Sequence, residues 1–422
     1  MDAGQLAAAV RDSLGPVTIE AVTRLSGGAS RETWAFDAVS ADGTRTGLVL
    51  RRDPPGRPSE PGAMSREARA IALARAAGLA VPEVLTWTDG PDLWGSAGLV
   101  MRRVEGETIA RRILRDEAFR QSRTVLVAQV GEFAAGLHAI EPPADFPSTD
   151  PVADLRATLA TFGEFSPVFE LAITRLEADQ PPPRPSVTVH GDLRLGNLII
   201  GPDSLKAVID WELVHAGHPA EDLGWLCVKA WRFGASLPAA GLGTREELLA
   251  AYRAAGGADI SADELRWWEI LGTVRWGVIC MTQAEAHLSG AHRSVELAAI
   301  GRRVCEQEWD LLLLLAPEAA AAAAARRPRP DGAPRPAPAP YGRPTASELL
   351  DAVREYLTER VLPGTSGQLA FHARVAANVL GIVARELELG PLPAESDLAD
   401  SVAARLAVAN PRYFETRSQS DH

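Results

Sequence analysis

Three polar side chains that could carry chemistry stand at the ends of short apolar runs between Val187 and Glu212. The segment reads VTVHGDLRLGNLIIGPDSLKAVIDWE, with Asp192 after one predicted strand, Asn197 five positions later and Asp210 closing a further strand. Oxygen ligands of this kind suit magnesium, which keeps several waters and needs few protein ligands. Phosphoryl transfer uses an aspartate that accepts a hydroxyl proton beside an asparagine and an aspartate that hold the metal. The segment therefore predicts Asp192 as the catalytic base, with Asn197 and Asp210 as magnesium ligands.

The simpler explanation is that these polar residues only form turns. A single aspartate after a strand is usually a turn residue. The combination of HGD, four residues, Asn and a strand ending in IDWE is far more constrained. It resembles the aminoglycoside phosphotransferase-like branch of the protein-kinase-like fold. The resemblance covers residues 20–315 and implies an α+β bilobal fold, with a small antiparallel lobe and a larger helical lobe, that uses ATP and Mg²⁺.

A glycine-rich turn, SGGAS, separates two predicted strands near the N-terminus, Val22–Leu25 and Glu32–Phe36. Glycines let backbone N–H groups approach phosphates, although β-hairpins use glycine pairs as well. The resemblance matches this turn to the loop that covers the nucleotide. It implies that Gly27, Gly28 and Ser30 bind ATP.

The next predicted strand, Gly47–Arg52, carries an arginine where the resemblance leads us to expect a phosphate-binding lysine. The matching position is Arg51, and its expected acidic partner is Glu67 on the helix that follows. Arginine keeps the positive charge but differs from lysine in shape. An exposed arginine on an edge strand is the alternative, and a glutamate in a first helical turn is also favoured by the helix dipole.

The residues after the strand 99–101 resemble the hinge between the two lobes. Backbone groups of Met101, Arg102 and Arg103 are expected to meet adenine there. The predicted domains are a small nucleotide-binding lobe at 1–104, a catalytic and substrate lobe at 105–316, an Ala/Pro-rich linker at 317–344 and a helical accessory domain at 345–422.

Arginines concentrate just after this hinge, namely Arg102, Arg103, Arg111, Arg112, Arg115, Arg120 and Arg123. A solvated helix face is the simpler explanation. Contact with phosphates on a substrate is the alternative, because the guanidinium group matches phosphate geometry.

The segment HAGHPAEDLGWL follows the predicted metal aspartate and extends the resemblance. Asp222 within it is expected to brace the catalytic loop through hydrogen bonds. His215 and His218 lack a carboxylate or cysteine at a spacing that would complete a metal site. The helical remainder carries tryptophans that pack in the core or line the acceptor pocket, namely Trp231, Trp267, Trp268 and Trp276.

Composition excludes several classes of protein. A formal charge of −12 argues against nonspecific nucleic-acid binding, which needs a basic face. Cys227, Cys280 and Cys305 lie far apart and form no metal-binding or disulfide pattern. No apolar run is long enough to span a bilayer, and the N-terminus lacks the basic region of a secretory signal. We expect a cytoplasmic protein without nucleic-acid or membrane partners.

The C-terminal part begins with a low-complexity stretch. Ala319–Pro340 passes from alanines to prolines and predicts an extended, semi-rigid linker. Apolar residues at helical spacing then predict three helices, at about 349–361, 366–387 and 396–409. This tail resembles a small helical domain of unknown function, and we expect it to pack on the kinase domain or on a partner.

Within the family, LRR on the lysine strand, HGDLRLGN and IDWELVHAGHPAEDLGWLC look most like one subgroup. That subgroup is the hydroxyacyl-CoA kinases related to kinase domains fused to acyl-CoA dehydrogenases. The resemblance implies that the acceptor is the hydroxyl of a 4-hydroxyacyl-CoA in hydroxy-acid catabolism.

Two alternatives stay open. One is a kinase of the same fold that acts on an aminoglycoside, a sugar or an amino alcohol. The other is a catalytically weak nucleotide-binding scaffold, for which the missing lysine argues and the intact Asp192, Asn197 and Asp210 set argues against. A homodimer is compatible with the sequence, which does not decide it.

Overall fold

The structure is a computed structural model that describes residues 2–25, 31–55, 60–162, 166–326, 346–390 and 397–415. The chain divides into two compact units, Met1–Thr149 with Pro181–Glu269, and Asp150–Gln180 with Ile270–His422. Its strands are β1 (Val17–Leu25), β2 (Glu32–Ser40), β3 (Arg45–Arg52), β4 (Val84–Thr88), β5 (Gly98–Arg102), β6 (Val187–Val189), β7 (Leu198–Ile200), β8 (Leu205–Val208) and β9 (His215–Gly217).

The helices of the first half of the chain are α1 (Ala3–Leu14), α2 (Ala63–Ala76), α3 (Ala110–Arg115), α4 (Arg120–Arg123), α5 (Leu126–His138), α6 (Pro151–Thr161) and α7 (Pro167–Ala178). Those of the second half are α8 (Ala220–Cys227), α9 (Arg245–Ala254), α10 (Ala262–Leu288), α11 (Val295–Gly301), α12 (Val304–Leu315), α13 (Pro317–Arg326), α14 (Ala346–Tyr356), α15 (Gly367–Leu389) and α16 (Leu398–Ala409). The fold is α+β, with a sheet lobe and a mostly helical remainder.

The first unit begins with an antiparallel sheet in the order β1-β2-β3-β5-β4. Side chains alternate between the faces of a strand, so β3 sends Leu48 and Leu50 to one face and Val49 to the other. Leu48 and Leu50 pack with α1, whereas Val49 packs with Met64 of α2. Arg51 follows in this alternation and therefore lies on the face of the sheet that α2 covers.

Short β-pairings carry the segment predicted to be catalytic. β6 pairs with β9, and β7 forms an antiparallel hairpin with β8. The turn after β6 needs glycine, because Gly191 has φ 80° and a Cβ there would lie 2.4 Å from the Leu213 carbonyl oxygen. The predicted strands at 187–189 and 198–200 are confirmed, whereas the third, predicted at 207–209, is found at Leu205–Val208.

The second unit is helical. In it α12 packs against α7, α13 and α16, while α15 packs against α11, α14 and α16. The three predicted tail helices are confirmed within a few residues, with the first extended through Val361 by a π-helical turn. The start of the expected extended linker differs, because Pro317–Arg326 forms helix α13. Alanine has the highest helix propensity, which explains why the alanine run continues as a helix. Residues 327–345 lie outside the described chain.

Helix α12 buries an unusual row of acids in this unit. Glu306, Glu308 and Asp310 are each at most 5% exposed. Three residues of the tail contact them: Asn410 donates to Glu306 at 3.0 Å, Arg405 lies 2.8 Å from Glu308, and Tyr413 donates its hydroxyl to Asp310 at 2.6 Å. Buried charges are stable only when partners of this kind offset their desolvation.

The Tyr413 hydroxyl donates to a buried acid, since Asp310 is 3% exposed. Burial raises the pKa of Tyr413 well above its ordinary value, and the neighbouring Asp310 and Glu306 carboxylates raise it further. The phenol therefore stays protonated and keeps donating to Asp310. The adjacent Phe414 ring meets Trp309 of α12 edge-on, with ring centroids 5.1 Å apart.

We expect Tyr413→Phe to lower the free energy of unfolding by about 1–3 kcal/mol, because Asp310 loses a donor in a buried place. Tyr356→Phe is the control, since that tyrosine is 60% exposed, and it should change the stability little. Differential scanning calorimetry of both variants checks this. Equal unfolding temperatures for the two variants would contradict the stabilising role of the Tyr413 hydroxyl.

Candidate active site

Asp222 of α8 holds the loop that follows β6. Its carboxylate accepts the backbone N–H groups of His190 at 2.8 Å and Gly191 at 2.9 Å, and it lies 3.3 Å from His138 Nε2. The expected bracing role of Asp222 is therefore confirmed. His190 adds a second brace, because its ring lies 3.1 Å from the Ile209 carbonyl oxygen and meets the Trp211 ring edge-on.

Asp192 lies at the centre of this loop. Its Oδ1 accepts the indole N–H of Trp225 at 2.7 Å, and its Oδ2 accepts the side-chain amide of Asn197 at 2.6 Å. Arg194 Nε lies 3.0 and 3.1 Å from the two oxygens. The guanidinium group of Arg194 stacks over the ring of Trp231 at 4.9 Å.

Asn197 and Asp210 lie on adjoining backbone, since the Ile209 N–H donates to the Asn197 carbonyl at 2.9 Å. The amide nitrogen of Asn197 donates to Asp192, which leaves its side-chain oxygen as the atom that can bind a cation. Asp210 has φ 71°, a conformation that is uncommon for non-glycine residues and is concentrated at functional sites. This donor set of an amide oxygen and a carboxylate fits Mg²⁺. Within the described residues no cluster of three or more His, Cys, Asp or Glu side chains could hold a metal.

Arg51 joins the sheet to the loop after β8. It donates to Glu67 at 3.1 Å and to Asp210 at 2.6 Å, and it lies 3.8 Å from Glu212. Burial by itself lowers the pKa of Arg51, but the charges of Asp210, Glu67 and Glu212 outweigh it and raise the pKa above its ordinary value. Arg51 is therefore permanently charged and is paired as the resemblance implied.

A second arginine, which the sequence motifs did not predict, shares the same glutamate. Arg31 donates to Glu67 and also lies 3.2 Å from Asp53 and 3.5 Å from Glu212. Its side chain is only 8% exposed. The signal in the sequence was its position directly after the glycine turn, at the entry to β2.

The surroundings shift the pKa values of the two acids of the IDWE motif in opposite directions. Burial by itself raises the pKa of Asp210, but Arg51 outweighs it and holds the pKa below its ordinary value. For Glu212, burial and the nearby Asp210 charge raise the pKa, and Arg31 and Arg51 offset this only in part. The surroundings therefore favour the charged form of Asp210 more than that of Glu212.

The remaining predicted cofactor residues stay predictions. Gly27, Gly28 and Ser30 lie outside the described residues. The N–H groups of Arg102 and Arg103 donate to the Glu83 and Gly47 carbonyls, both at 2.8 Å, and Met101 pairs with Val49 inside the sheet. The structure does not bring these amides to the group around Arg51, and the hinge assignment stays a prediction.

The sheet, the braced HGD loop and the Arg51–Glu67 pair together define a kinase-like phosphotransferase. The phosphotransferase enzyme family matches residues 21–268, more than half of the chain, and the chain belongs to this family. A Domain of unknown function (DUF6285) matches residues 363–401.

Solved structures share the fold. A candidate aminoglycoside phosphotransferase from Ralstonia eutropha JMP134 is 21% identical with a TM-score of 0.55, over 74% of this chain and 98% of that chain. A spectinomycin phosphotransferase in complex with ADP and spectinomycin is 14% identical with a TM-score of 0.52, over the same shares of the two chains.

A curated relative is the mouse acyl-CoA dehydrogenase family member 10. It is 28% identical over 204 residues, which cover 45% of this chain and 19% of that protein. The chain therefore spans less than a fifth of that relative's length. No helix among the described residues has the length and apolar character needed to cross a membrane.

Asp222 makes the free energy of unfolding depend on pH in the acid range. Burial by itself raises the pKa of Asp222, but hydrogen bonding and charge from His138, then His190, outweigh it and lower the pKa. Ionised Asp222 therefore stabilises the fold above its unfolded pKa of about 4, and this contribution is lost as the pH falls through the lower folded pKa.

We expect Asp222→Asn to cost about 3 kcal/mol at pH 7, because two backbone donors lose a charged acceptor. The variant should also lose stability less steeply than the wild type below about pH 4. Urea unfolding between pH 2.5 and 7 measures both. The control is Asp259→Asn, since Asp259 is exposed and forms an ion pair with the exposed Arg253. If Asp222→Asn lost stability below pH 4 as steeply as the wild type, Asp222 would not be the source of the acid dependence.

Proposed function

We propose that the protein transfers the γ-phosphoryl group of ATP to an alcohol, with Asp192 accepting the proton of the acceptor hydroxyl. The observation that carries this proposal is the grouping of Asp192, Asn197 and Asp210 around one braced loop, in which Asp210 also contacts Arg51. Phosphoryl transfer depends mostly on positioning and on neutralising charge. The group supplies a base, ligands for a cation and a fixed positive charge.

Each residue has a separate task in this mechanism. Arg51 contacts the phosphates after leaving Asp210, and Glu67 keeps its guanidinium oriented. Asn197 and Asp210 would hold Mg²⁺, which neutralises phosphate charge when it is bound. Asp192 orients the hydroxyl and takes its proton as the oxygen attacks phosphorus.

The acceptor that we propose is a 4-hydroxyacyl-CoA. The resemblance of the three motifs to hydroxyacyl-CoA kinases supports it, and so does the similarity to a mouse protein named for an acyl-CoA dehydrogenase. The same proposal treats the helical tail as an accessory domain, and a domain of unknown function matches residues 363–401 within it.

Arg111 and Arg115 of α3 are the best candidates to contact phosphates of the CoA moiety. They lie one turn apart, both are exposed, and neither forms an ion pair within the described part of the chain. Other arginines of the cluster are occupied: Arg112 contacts Glu107 and Asp116, and Arg120 contacts Glu117. Two unpaired guanidinium groups on one face suit a polyphosphate.

A cationic antibiotic fits this chain less well. Such an acceptor needs acids that are free to bind ammonium groups. Glu264 is paired with Arg184, and Glu269 is paired with Arg232 and Arg245. These buried acids of α10 are therefore already neutralised.

We expect Asp192→Asn to lower turnover about a hundred- to ten-thousandfold, the usual contribution of a general base, while ATP binding persists. A coupled ADP assay with 4-hydroxyvaleryl-CoA, free 4-hydroxyvalerate and kanamycin as acceptors measures this and ranks the acceptors. Asp203→Asn is the control, because Asp203 is exposed in the β7–β8 turn. Near-normal turnover in Asp192→Asn would remove Asp192 from the reaction, and turnover with kanamycin alone would replace the proposed acceptor.

For the CoA contact, Arg111→Met with Arg115→Met should raise the KM for the thioester about tenfold, since two phosphate contacts are lost. The KM for ATP and kcat should change little. The control is Arg120→Met, which replaces a charged arginine that is paired with Glu117. An equal KM in the double variant and the wild type would refute the contact.

A further inference from the structure

The Asp192 carboxylate is fully occupied by N–H donors. Trp225 donates to Oδ1, Asn197 donates to Oδ2, and Arg194 Nε lies within 3.1 Å of both oxygens. An ionised carboxylate offers about four lone-pair sites, and the three N–H groups make four contacts with them, because the single N–H of Arg194 Nε lies near both oxygens. An acceptor hydroxyl can therefore reach Asp192 only if one donor leaves.

The three donors are held very differently. Trp225 and Asn197 are each 3% exposed, and the Asn197 amide is also bound to the Asp192 carbonyl at 2.9 Å. The Arg194 side chain is 26% exposed and reaches Asp192 at the end of a long, flexible stem. Arg194 is therefore the donor that can be released at least cost.

The Trp231 ring gives Arg194 a place to go. A guanidinium group keeps its attraction to an aromatic face while it slides across that face, because the interaction is weakly directional. The ring is 5% exposed and lies against Trp225, with centroids 5.2 Å apart. It therefore stays in place when Arg194 moves.

We propose that Arg194 is an exchangeable donor on the catalytic base, which covers Asp192 in the absence of acceptor and slides along Trp231 when a bound hydroxyl replaces it. This proposal rests on the role of Asp192 proposed above. Arg194 acts through Asp192 and is a positioning residue.

The consequence is protection of ATP against water. In hydrolysis the water oxygen bonds to the γ-phosphorus, the bond from that phosphorus to the ADP oxygen breaks, and the water proton passes to Asp192. While Arg194 covers Asp192, that carboxylate is not available as the acceptor of the proton. A substrate held by many contacts can displace the guanidinium group, whereas a single water cannot compete with a charge-assisted hydrogen bond.

The test compares ATP hydrolysis without acceptor to steady-state transfer in Arg194→Met. We expect acceptor-free ADP release to rise about three- to tenfold, as for the loss of one partly screened charge-assisted bond. The KM for the acceptor should fall by a similar factor, and kcat should change by less than about twofold. Arg194→Lys should restore low hydrolysis in part, because an ammonium group can also bond Asp192.

Trp231 provides an independent reading. Trp231→Phe keeps an aromatic face and should behave nearly as the wild type, whereas Trp231→Leu removes the face that receives the displaced guanidinium group and should raise the KM for the acceptor. Arg253→Met is the matched control, because Arg253 is an exposed arginine paired with a single acid.

Unchanged hydrolysis in Arg194→Met overturns the proposal. A parallel fall of hydrolysis and kcat overturns it too, since Arg194 would then contact the transferred group. The hydrolysis assay needs no acceptor, so a wrong acceptor leaves this result readable. In the double variant Asp192→Asn with Arg194→Met, acceptor-free ATP hydrolysis should no longer rise above the wild-type rate. If it still rises, Asp192 is not the base, and the proposed function fails with this inference.

Discussion

One buried carboxylate holds two arginine side chains of the sheet lobe in place. Glu67, only 1% exposed, receives Arg31 on one oxygen and Arg51 on the other. Two guanidinium groups enclosed this closely repel each other, and a shared acid between them offsets that repulsion. Alternation along β3 and the packing of Met64 of α2 beneath Val49 bring the partners together. The apolar core of this lobe thus serves to place charges.

The same arrangement links two distant parts of the chain. Arg51 contacts Asp210, which lies 159 positions later and follows β8. Asp210 adopts its left-handed conformation while the backbone on its N-terminal side is tied to Asn197. Arg51, the proposed phosphate-binding cation, and Asp210, the proposed metal-binding acid, neutralise each other. Nucleotide and metal together would replace one internal ion pair with two external ones.

The sequence predicted the parts of this site that local spacing determines. Asp192, Asn197 and Asp210 lie within one short segment, and strand ends fix their neighbourhood. It did not predict Arg31, or the contacts of Trp225 and Trp231 around the base, because packing between separate elements creates them. Arginines after the hinge looked alike in sequence, and only their ion pairs distinguish Arg111 from Arg112. Acids on a helix such as α12 are ordinarily assigned to a solvated face. The sequence of α12 therefore did not predict that the tail buries its acids.

The buried acids of α12 also affect the order in which parts of the chain can complete their folding. Its partners Asn410 and Tyr413 stand 104 and 103 positions after the acids that they contact. Domains fold as units while the chain emerges from the ribosome, earlier segments first. Both segments of the first unit precede residue 270, so that unit can be complete while the row on α12 still awaits its partners. A nascent chain that stops between α12 and the tail would leave these acids exposed to solvent together with the apolar surface beside them. Chaperones and proteases can recognise a partly folded chain of this kind.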